Sequence, residues 1–202
     1  MSNTEADRSP MDWEQRFRDN TTPWERDGLH PAFLDWRERG VFDGLGAVIV
    51  PGCGRAPELA AFARIADDAI GADLSRTALD WQRNKLFQKG LSAKLIHADI
   101  LLWRPENPLD GVYEQTFLCA IPPRLREEYE RAVFGWLKPG GRLFALFMQK
   151  DDRGGPPYGC SIPAMRQLFP EARWDWPDGE LTPYPHPSLN GKPELAVILT
   201  RR

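Results

Sequence analysis

The amino-acid sequence predicts a doubly wound α/β fold, in which helices pack on both faces of a mostly parallel β-sheet. Two observations support this prediction. Short apolar segments alternate along the chain with amphipathic helical segments, a pattern typical of parallel sheets built from βαβ units. The first apolar segment, "GAVIVPG" at residues 46–52, is continuous rather than alternating, as expected for a strand that is covered on both faces.

The length and composition indicate one ordinary globular domain. A chain of 202 residues is long enough to bury a sizeable core. The net charge of -3 gives no indication of nucleic-acid binding. No apolar run approaches the roughly 20 residues that a membrane-spanning helix needs. We expect a disordered, polar and acidic lead-in over residues 1–11, and a single domain over residues 12–202.

The three cysteines bear on the cellular compartment. Cys53, Cys119 and Cys160 are odd in number, are scattered along the chain and form no metal-ligand pattern. Such a set favours a reducing cytoplasm over a disulfide framework. We therefore expect a cytoplasmic protein without a metal site.

The first half of the chain predicts two N-terminal helices followed by alternating strands and helices. Apolar residues recur at helical spacing in both N-terminal segments. Pro57 lies near the first turn of the third helix, where proline is tolerated, and Gly90 closes the fourth helix. In chain order, the predicted elements are helices over residues 11–19 and 30–40, a strand over 46–52, a helix over 56–64, a strand over 68–75, a helix over 76–90 and a strand over 93–99.

The second half of the chain completes a set of seven predicted strands. A long helix begins at residue 123 and is stopped by Pro139, Gly140 and Gly141. The proline-rich stretch "TPYPHPSLNGKP" has the composition of a stiff loop. The remaining elements are strands over residues 111–121, 142–150, 172–177 and 193–202, and a helix over residues 161–170.

The turn after the first strand is a candidate cofactor cradle. Gly52 and Gly54 have no Cβ, so the backbone can turn sharply there and approach a ligand closely. The third glycine of a dinucleotide fingerprint is absent, because Ala56 and Pro57 occupy that region. The turn therefore fits a nucleoside better than a pyrophosphate.

Acidic residues end the second and third strands. Asp73 lies 21 positions after Gly52, where an acid that binds ribose hydroxyls is expected. Asp99 ends the third strand and is placed to accept from an adenine amino group, although capping a helix or a turn is the plain alternative. A glycine turn without a pyrophosphate pattern, together with these two acids, fits S-adenosylmethionine better than NAD.

Several segments together carry a resemblance to a known family. They are "WEQRFRDNTTPWERDGLHPAF", "VPGCG", "GADLS", "FLCAIPPRLREEYERAVFGWLKPGGRL", "GGPPYGCS" and "GKPELAVILTRR". This ordered set resembles the class I methyltransferases of the thiopurine methyltransferase family, and within it the thiol and halide methyltransferase branch. The resemblance runs from about residue 12 to the end. It implies a Rossmann-like, seven-stranded sheet with an antiparallel last strand, and an N-terminal helical lid over residues 12–40.

The resemblance also implies S-adenosylmethionine as cofactor and S-adenosylhomocysteine as product. Aromatic faces attract a sulfonium cation and exclude water, which suits the N-terminal aromatic residues, although plain core packing is their alternative role. The residues and the resemblance together give ten candidates for cofactor binding: Trp13, Phe17, Trp24, Gly52, Gly54, Asp73, Leu74, Asp99, Ile100 and Glu114. Glu114 and Gln115 also mark a departure, because the branch usually shows Asp-Tyr there. That departure bears on how the acceptor is oriented.

The acceptor side has three candidate residues, each with a plain alternative. Tyr158 offers a hydroxyl that can bond an anion, or is a rigid loop aromatic. Arg126 can hold an anionic acceptor, or pair with nearby glutamates, which we favour. His30 lies on the lid, as His186 lies on a second loop, and either ring can touch a substrate. His97 lies within a strand pattern and is expected to be a packed core residue.

These observations predict a methyltransferase that moves a methyl group from S-adenosylmethionine to a small sulfur nucleophile by in-line displacement. Sulfide, methanethiol and other thiols are the expected acceptors, with halides as further candidates. A thiol titrates near 8.5, so its thiolate needs little help from a base near neutral pH. The alternatives are a thiopurine-type enzyme for aromatic thiols, an NAD-dependent oxidoreductase and a non-catalytic cofactor-binding module. We expect a monomer that binds a small-molecule acceptor and neither nucleic acid nor membrane.

Overall fold

A computed structural model describes residues 11–151, 153–186 and 191–202 of the chain. The predicted disordered lead-in, apart from Met11, lies outside the described residues. No helix within the described ranges is long and apolar enough to cross a membrane.

Helices and strands alternate along most of the chain, as predicted. The helices are α1 (Trp13–Arg18), α2 (Pro31–Glu38), α3 (Glu58–Ile65), α4 (Arg76–Gln88), α5 (Arg126–Trp136) and α6 (Ile162–Leu168), and a 3₁₀ turn (Pro123–Leu125) precedes α5. The strands are β1 (Ala47–Pro51), β2 (Asp68–Asp73), β3 (Lys94–His97), β4 (Leu109–Gln115), β5 (Leu137–Met148), β6 (Trp174–Asp175), β7 (Thr182–Pro185) and β8 (Pro193–Arg201).

The sheet has the strand order β3-β2-β1-β4-β5-β8-β6. Strands β1 to β5 pair in parallel, whereas β8 pairs antiparallel with β5 and β6. The predicted mostly parallel sheet with an antiparallel last strand is thus confirmed. The chain builds outward from β1 to β3 and then returns to add β4 on the other side of β1. Ligands of such sheets bind at this reversal point, beyond the carboxyl ends of the strands.

The central strand β1 is buried on both faces of the sheet. Its residues Val48 and Val50 belong to one hydrophobic core, with α2 and α3, whereas Ile49 belongs to the other, with α5. Because successive side chains of a strand point to opposite faces, a strand between two helical layers must be apolar at every position. The continuous "AVIV" run has this physical origin.

Several elements differ from the sequence predictions, either in where they end or in being absent from the predicted set. The fourth strand was predicted to reach residue 121 but ends at Gln115, because Thr116 adopts a positive φ of 64° and the chain turns. The helix predicted to continue to Pro139 ends at Trp136, and the Pro-Gly-Gly segment lies inside β5, at a register shift opposite β4. The short strand β7 pairs with β8 within the segment predicted as a loop.

Candidate active site

A cavity of about 410 Å³ lies at the carboxyl edge of the central strands. Its wall combines the turn after β1, the end of β2, the loop after β3, the loop after β4, and α1 with the segment that follows it. This volume is in the range of small-molecule sites, and the position is the reversal point of the strand order. Nine of the ten predicted cofactor residues line this cavity, the exception being Glu114.

The turn after β1 requires glycine at two positions. Gly52 has a φ of 57°, and a Cβ there would lie 2.5 Å from the ring of Phe117. Gly54 has a φ of 45°, and its Cβ would lie 3.0 Å from the ring of Phe17. A larger residue at either position would be strained in its backbone and would push an aromatic ring toward the cavity.

The turn is held from below by Gln82, a residue that the sequence analysis did not single out. Gln82 is fully buried in α4, and its Nε2 donates to the carbonyls of Gly54 at 3.0 Å and Ala56 at 2.9 Å. A polar residue on the buried face of an amphipathic helix is the signal that would have identified it, because a buried amide needs partners.

Asp73 ends β2 with its carboxylate facing the glycine turn. Its Oδ2 accepts from the backbone N–H of Gly54 at 2.8 Å, and its Oδ1 from that of Ser75 at 2.8 Å. Burial raises the pKa of Asp73, and the hydrogen bonds from Ser75, Gly54 and Leu74 oppose this rise. The carboxylate keeps lone pairs for hydroxyl donors in the cavity, because each of its oxygens can accept more than one hydrogen bond.

Asp99 has the capping role considered for it in the sequence, and it also lies in the cavity wall. Its Oδ1 accepts from the backbone N–H of Leu101 at 2.9 Å, so it caps the turn that follows β3. The same residue and its neighbour Ile100 line the cavity. Capping therefore fixes the orientation of a carboxylate that also faces the cavity.

Three aromatic rings of the lid cluster over the cavity. The ring of Trp24 makes edge contacts with those of Trp13 and Phe17, at centroid distances of 5.6 and 6.1 Å. All three residues line the cavity, and Phe17 is almost fully buried. The predicted aromatic grouping is therefore present, and its rings pack on one another as well as facing the cavity.

The lid is anchored to the domain through Glu14, which sequence reasoning missed. Its carboxylate accepts from the hydroxyls of Ser75 at 2.7 Å and Thr77 at 2.8 Å, and from the Thr77 N–H at 3.2 Å. Burial raises the pKa of Glu14, but these hydrogen bonds outweigh that effect and lower the pKa to about 2. A carboxylate at the first turn of α4 also interacts favourably with the helix dipole.

A second anchor runs from the glycine turn to the lid. Arg55 follows Gly54 directly and donates to the carbonyl of Phe17 at 2.8 Å and to Oδ1 of Asn20 at 2.9 Å. These bonds cap the carboxyl end of α1, where backbone carbonyls have no partners within the helix. The lid is thereby connected to the same turn that borders the cavity.

The predicted role of His30 at the acceptor must be corrected. Its ring is fully buried and does not line the cavity, because Nδ1 accepts from the backbone N–H of Ala32 and caps α2. Nε2 lies 3.0 Å from Oε2 of the buried Glu194. Burial lowers the pKa of His30, although Glu194 opposes this shift.

Arg126 and Tyr158 also lie outside the cavity wall. Arg126 donates to the carbonyls of Gly159 at 2.9 Å and Tyr158 at 3.4 Å, so its guanidinium holds this loop rather than an acceptor or the glutamates we favoured. The ring of Tyr158 packs beneath Gly155, where an added Cβ would come within 2.6 Å of it. The two residues before it, Pro156 and Pro157, line the cavity instead.

Glu114 stabilises the turn after β4 and does not reach the cavity. It is 1% exposed, and its Oε1 accepts from the backbone N–H of Leu118 at 2.7 Å. Burial raises the pKa of Glu114 to about 7. The next residue, Gln115, does line the cavity, and its Oε1 accepts from the Tyr113 hydroxyl at 2.9 Å.

His97 and Cys119 are two further side chains named in the sequence analysis, and the structure shows where each lies. His97 is exposed on the edge strand β3 rather than packed in the core, and its Nε2 lies 2.8 Å from the Leu74 carbonyl. Cys119 lines the cavity but is buried, and burial raises the pKa of its thiol well above the ordinary value. Cys119 is thus a small apolar residue of the cavity wall.

Comparisons with known proteins agree with this arrangement. The family model described as thiopurine S-methyltransferase matches residues 8–176. The chain is 27% identical over 187 residues to thiocyanate methyltransferase 1 of Arabidopsis thaliana, covering 91% of this chain and 82% of that protein. It is 32% identical over 161 residues to the probable thiol methyltransferase 2 of the same plant, covering 78% of this chain and 70% of that protein.

The chain is also similar to a bacterial member of this family and to a solved methyltransferase structure. The chain is 27% identical over 192 residues to the thiopurine S-methyltransferase of Pseudomonas putida, covering 85% of this chain and 87% of that one. A solved S-adenosylmethionine-dependent methyltransferase from Clostridium acetobutylicum superposes with a TM-score of 0.71 at 14% identity, over 92% of this chain and 98% of that chain. The structural similarity establishes the fold, and the sequence matches confirm the resemblance found in the sequence.

Proposed function

The chain belongs to the thiopurine S-methyltransferase family, and from this premise we propose that it transfers a methyl group from S-adenosylmethionine to a small sulfur nucleophile such as sulfide, methanethiol or another thiol. One observation carries the proposal: a single cavity brings the glycine turn and Asp73 together with the aromatic lid. Membership of a methyltransferase family sets aside the oxidoreductase and the non-catalytic module.

The residues of the cavity fit the cofactor. At Gly52 and Gly54 a positive φ and the neighbouring rings of Phe117 and Phe17 disfavour a Cβ, so the turn presents bare backbone to the cavity. Asp73 would accept from the ribose hydroxyls, and Asp99 and Ile100 would contact the adenine. When bound, the cofactor supplies a methyl group activated on a sulfonium.

The lid aromatics and the cavity wall position the reactants and exclude water. The rings of Trp13, Phe17 and Trp24 pack together in the cavity wall, where they would interact favourably with the sulfonium cation. An in-line displacement requires the nucleophile about 3 Å from the methyl carbon, with its hydration removed. The thiol of Cys119 stays protonated because burial raises its pKa, so it does not compete with the acceptor as a nucleophile.

Halides and aromatic thiols are included in the proposal as acceptors to be tested. Relatives are named for thiocyanate, thiol and thiopurine methylation. Halides are soft anions that react by the same displacement. We further propose a cytoplasmic monomer. The three cysteines are buried and free, as suits a reducing compartment, and residues of one chain suffice to build the cavity.

Headspace gas chromatography of the purified protein with S-adenosylmethionine tests the proposal. Sulfide, methanethiol, iodide and an aromatic thiol are offered in parallel, with liquid chromatography for the aromatic product. Reactions without protein and with heat-denatured protein are the controls. We expect methanethiol from sulfide or dimethyl sulfide from methanethiol, above both controls. If S-adenosylmethionine binds and no sulfur acceptor is methylated, the proposed acceptor class is wrong.

A further inference from the structure

Arg26 is a cation in the wall of the cavity, two residues after the lid residue Trp24. Its side chain is 14% exposed. Its Nη2 donates to Oε2 of Glu194 at 2.8 Å and to the carbonyl of Pro185 at 3.1 Å. Because both bonds use the same nitrogen, the N–H groups on Nε and Nη1 make no hydrogen bond within the described part of the chain and can donate to a ligand.

Glu194 fixes the guanidinium to the rigid sheet. It is 1% exposed on β8 and pairs in register with Met148, a residue of β5 that also lines the cavity. The ring of His30 supports the same carboxylate oxygen from the other side, at 3.0 Å. Arg26 therefore connects the lid segment to the carboxyl edge of β5 through a buried ion pair.

The other arginines of the wall are bound differently. Arg16 donates to the carbonyl of Thr21 at 3.5 Å, and Arg55 donates to the carbonyl of Phe17 at 2.8 Å. Both therefore stabilise the lid itself. Arg26 differs from them because its partners lie on the β7–β8 side of the sheet.

The cavity wall around Arg26 also contains an apolar side chain and an imidazole ring. Met148 offers an apolar surface, and His186, the neighbour of Pro185, is 4% exposed and lines the cavity. Burial lowers the pKa of His186, so its ring is neutral at neutral pH. Hydrogen bonds from a guanidinium are stronger than those between neutral groups, and a low local dielectric strengthens them further.

We propose that Arg26 binds the methyl acceptor in its anionic form and thereby selects thiolates, hydrosulfide and thiocyanate over neutral sulfur compounds such as thioethers and thiones. This inference rests on the proposed function and specifies the charge of its acceptor. An anionic sulfur atom already carries the electron pair that forms the new S–C bond. No proton has to leave, so the site needs no base.

Calorimetric titration tests this inference without turnover. Thiocyanate, an anion at every relevant pH, and thiourea, an uncharged sulfur nucleophile of similar size, are titrated into protein saturated with S-adenosylhomocysteine. For Arg26→Gln we expect roughly tenfold or greater weakening of thiocyanate binding, since a charged donor is lost. Thiourea binding should change less than about twofold, and Arg26→Lys should retain part of the thiocyanate affinity. Arg16→Gln is the matched control, because it removes a positive charge from the same wall.

Loss of Arg26 alone leaves Glu194 buried without its partner, which can unfold a protein. The double variant Arg26→Gln, Glu194→Gln removes both charges, so no buried carboxylate is left unpaired, and should lose thiocyanate binding while keeping its affinity for S-adenosylhomocysteine. Unchanged thiocyanate affinity in these variants, equal loss of thiourea binding, or no thiocyanate binding by the unmodified protein overturns the inference. A failed methylation assay, with thiocyanate binding that still depends on Arg26, contradicts the proposed function alone.

Discussion

Replacing Asp73 tests the cofactor site most directly. In the unmodified protein, the backbone N–H groups of Gly54 and Ser75 each donate to the Asp73 carboxylate at 2.8 Å. Asp73→Ala removes this acceptor from both. A buried donor left without a partner costs about 1–3 kcal/mol, so the two together should cost about 2–6 kcal/mol of folding free energy. Asp73→Asn keeps the shape and one acceptor oxygen, and should cost about half as much.

The effect on the cofactor follows from the same carboxylate. Hydrogen bonds to a charged group contribute about 1.5–3 kcal/mol each, so loss of two ribose hydroxyl bonds amounts to about 3 kcal/mol or more. This corresponds to roughly a hundredfold weaker binding of S-adenosylmethionine in Asp73→Ala, and about tenfold in Asp73→Asn. Calorimetry gives the dissociation constants, and thermal denaturation reports stability separately. Unchanged affinity in a folded Asp73→Asn protein would refute the ribose role of Asp73.

Three further predictions concern the lid and the glycine turn. Because the pKa of Glu14 is lowered from 4.5 to about 2, its stabilisation is complete above pH 4.5 and is lost as the pH falls toward 2. The melting temperature of Glu14→Gln should therefore fall less than that of the unmodified protein between pH 4.5 and pH 2. An identical dependence of melting temperature on pH in the two proteins would contradict this role of Glu14. Trp24→Ala should weaken cofactor binding and lower turnover. If only the melting temperature fell, Trp24 would have a packing role and no role in binding. Gly52→Ala should destabilise by about 1–3 kcal/mol through its positive φ and the Phe117 ring. Gly135→Ala, at a helical position with open space around it, should instead gain about 0.5–1 kcal/mol, and equal effects would count against the steric argument.

The sequence was informative wherever function depends on position along parallel strands. The carboxyl ends of adjacent parallel strands meet at one edge, so Gly52, Asp73 and Asp99 could be grouped from the strand pattern alone. The continuous apolar run of β1 fixed its place inside the sheet in the same way. Trp13, Phe17 and Trp24 were implied by the family resemblance instead, and they line the same cavity.

The parts that sequence reasoning missed depend on tertiary contacts between distant segments. Arg26 and Glu194 are separated by 168 positions, and no local pattern relates them. His30 is polar and lies in the lid, which suggests chemistry, yet its ring faces the protein interior and caps α2. The packing of α2 on the sheet decides whether the His30 ring faces the cavity or the interior. The apolar periodicity of so short a helix does not specify this packing.

Ser75 joins the cavity carboxylate to the lid. Its N–H donates to Asp73, while its hydroxyl donates to the lid carboxylate of Glu14. Ser75 therefore links the cavity carboxylate to the lid, and any stabilisation of the docked lid by a ligand on Asp73 is returned as an equal gain in affinity for that ligand.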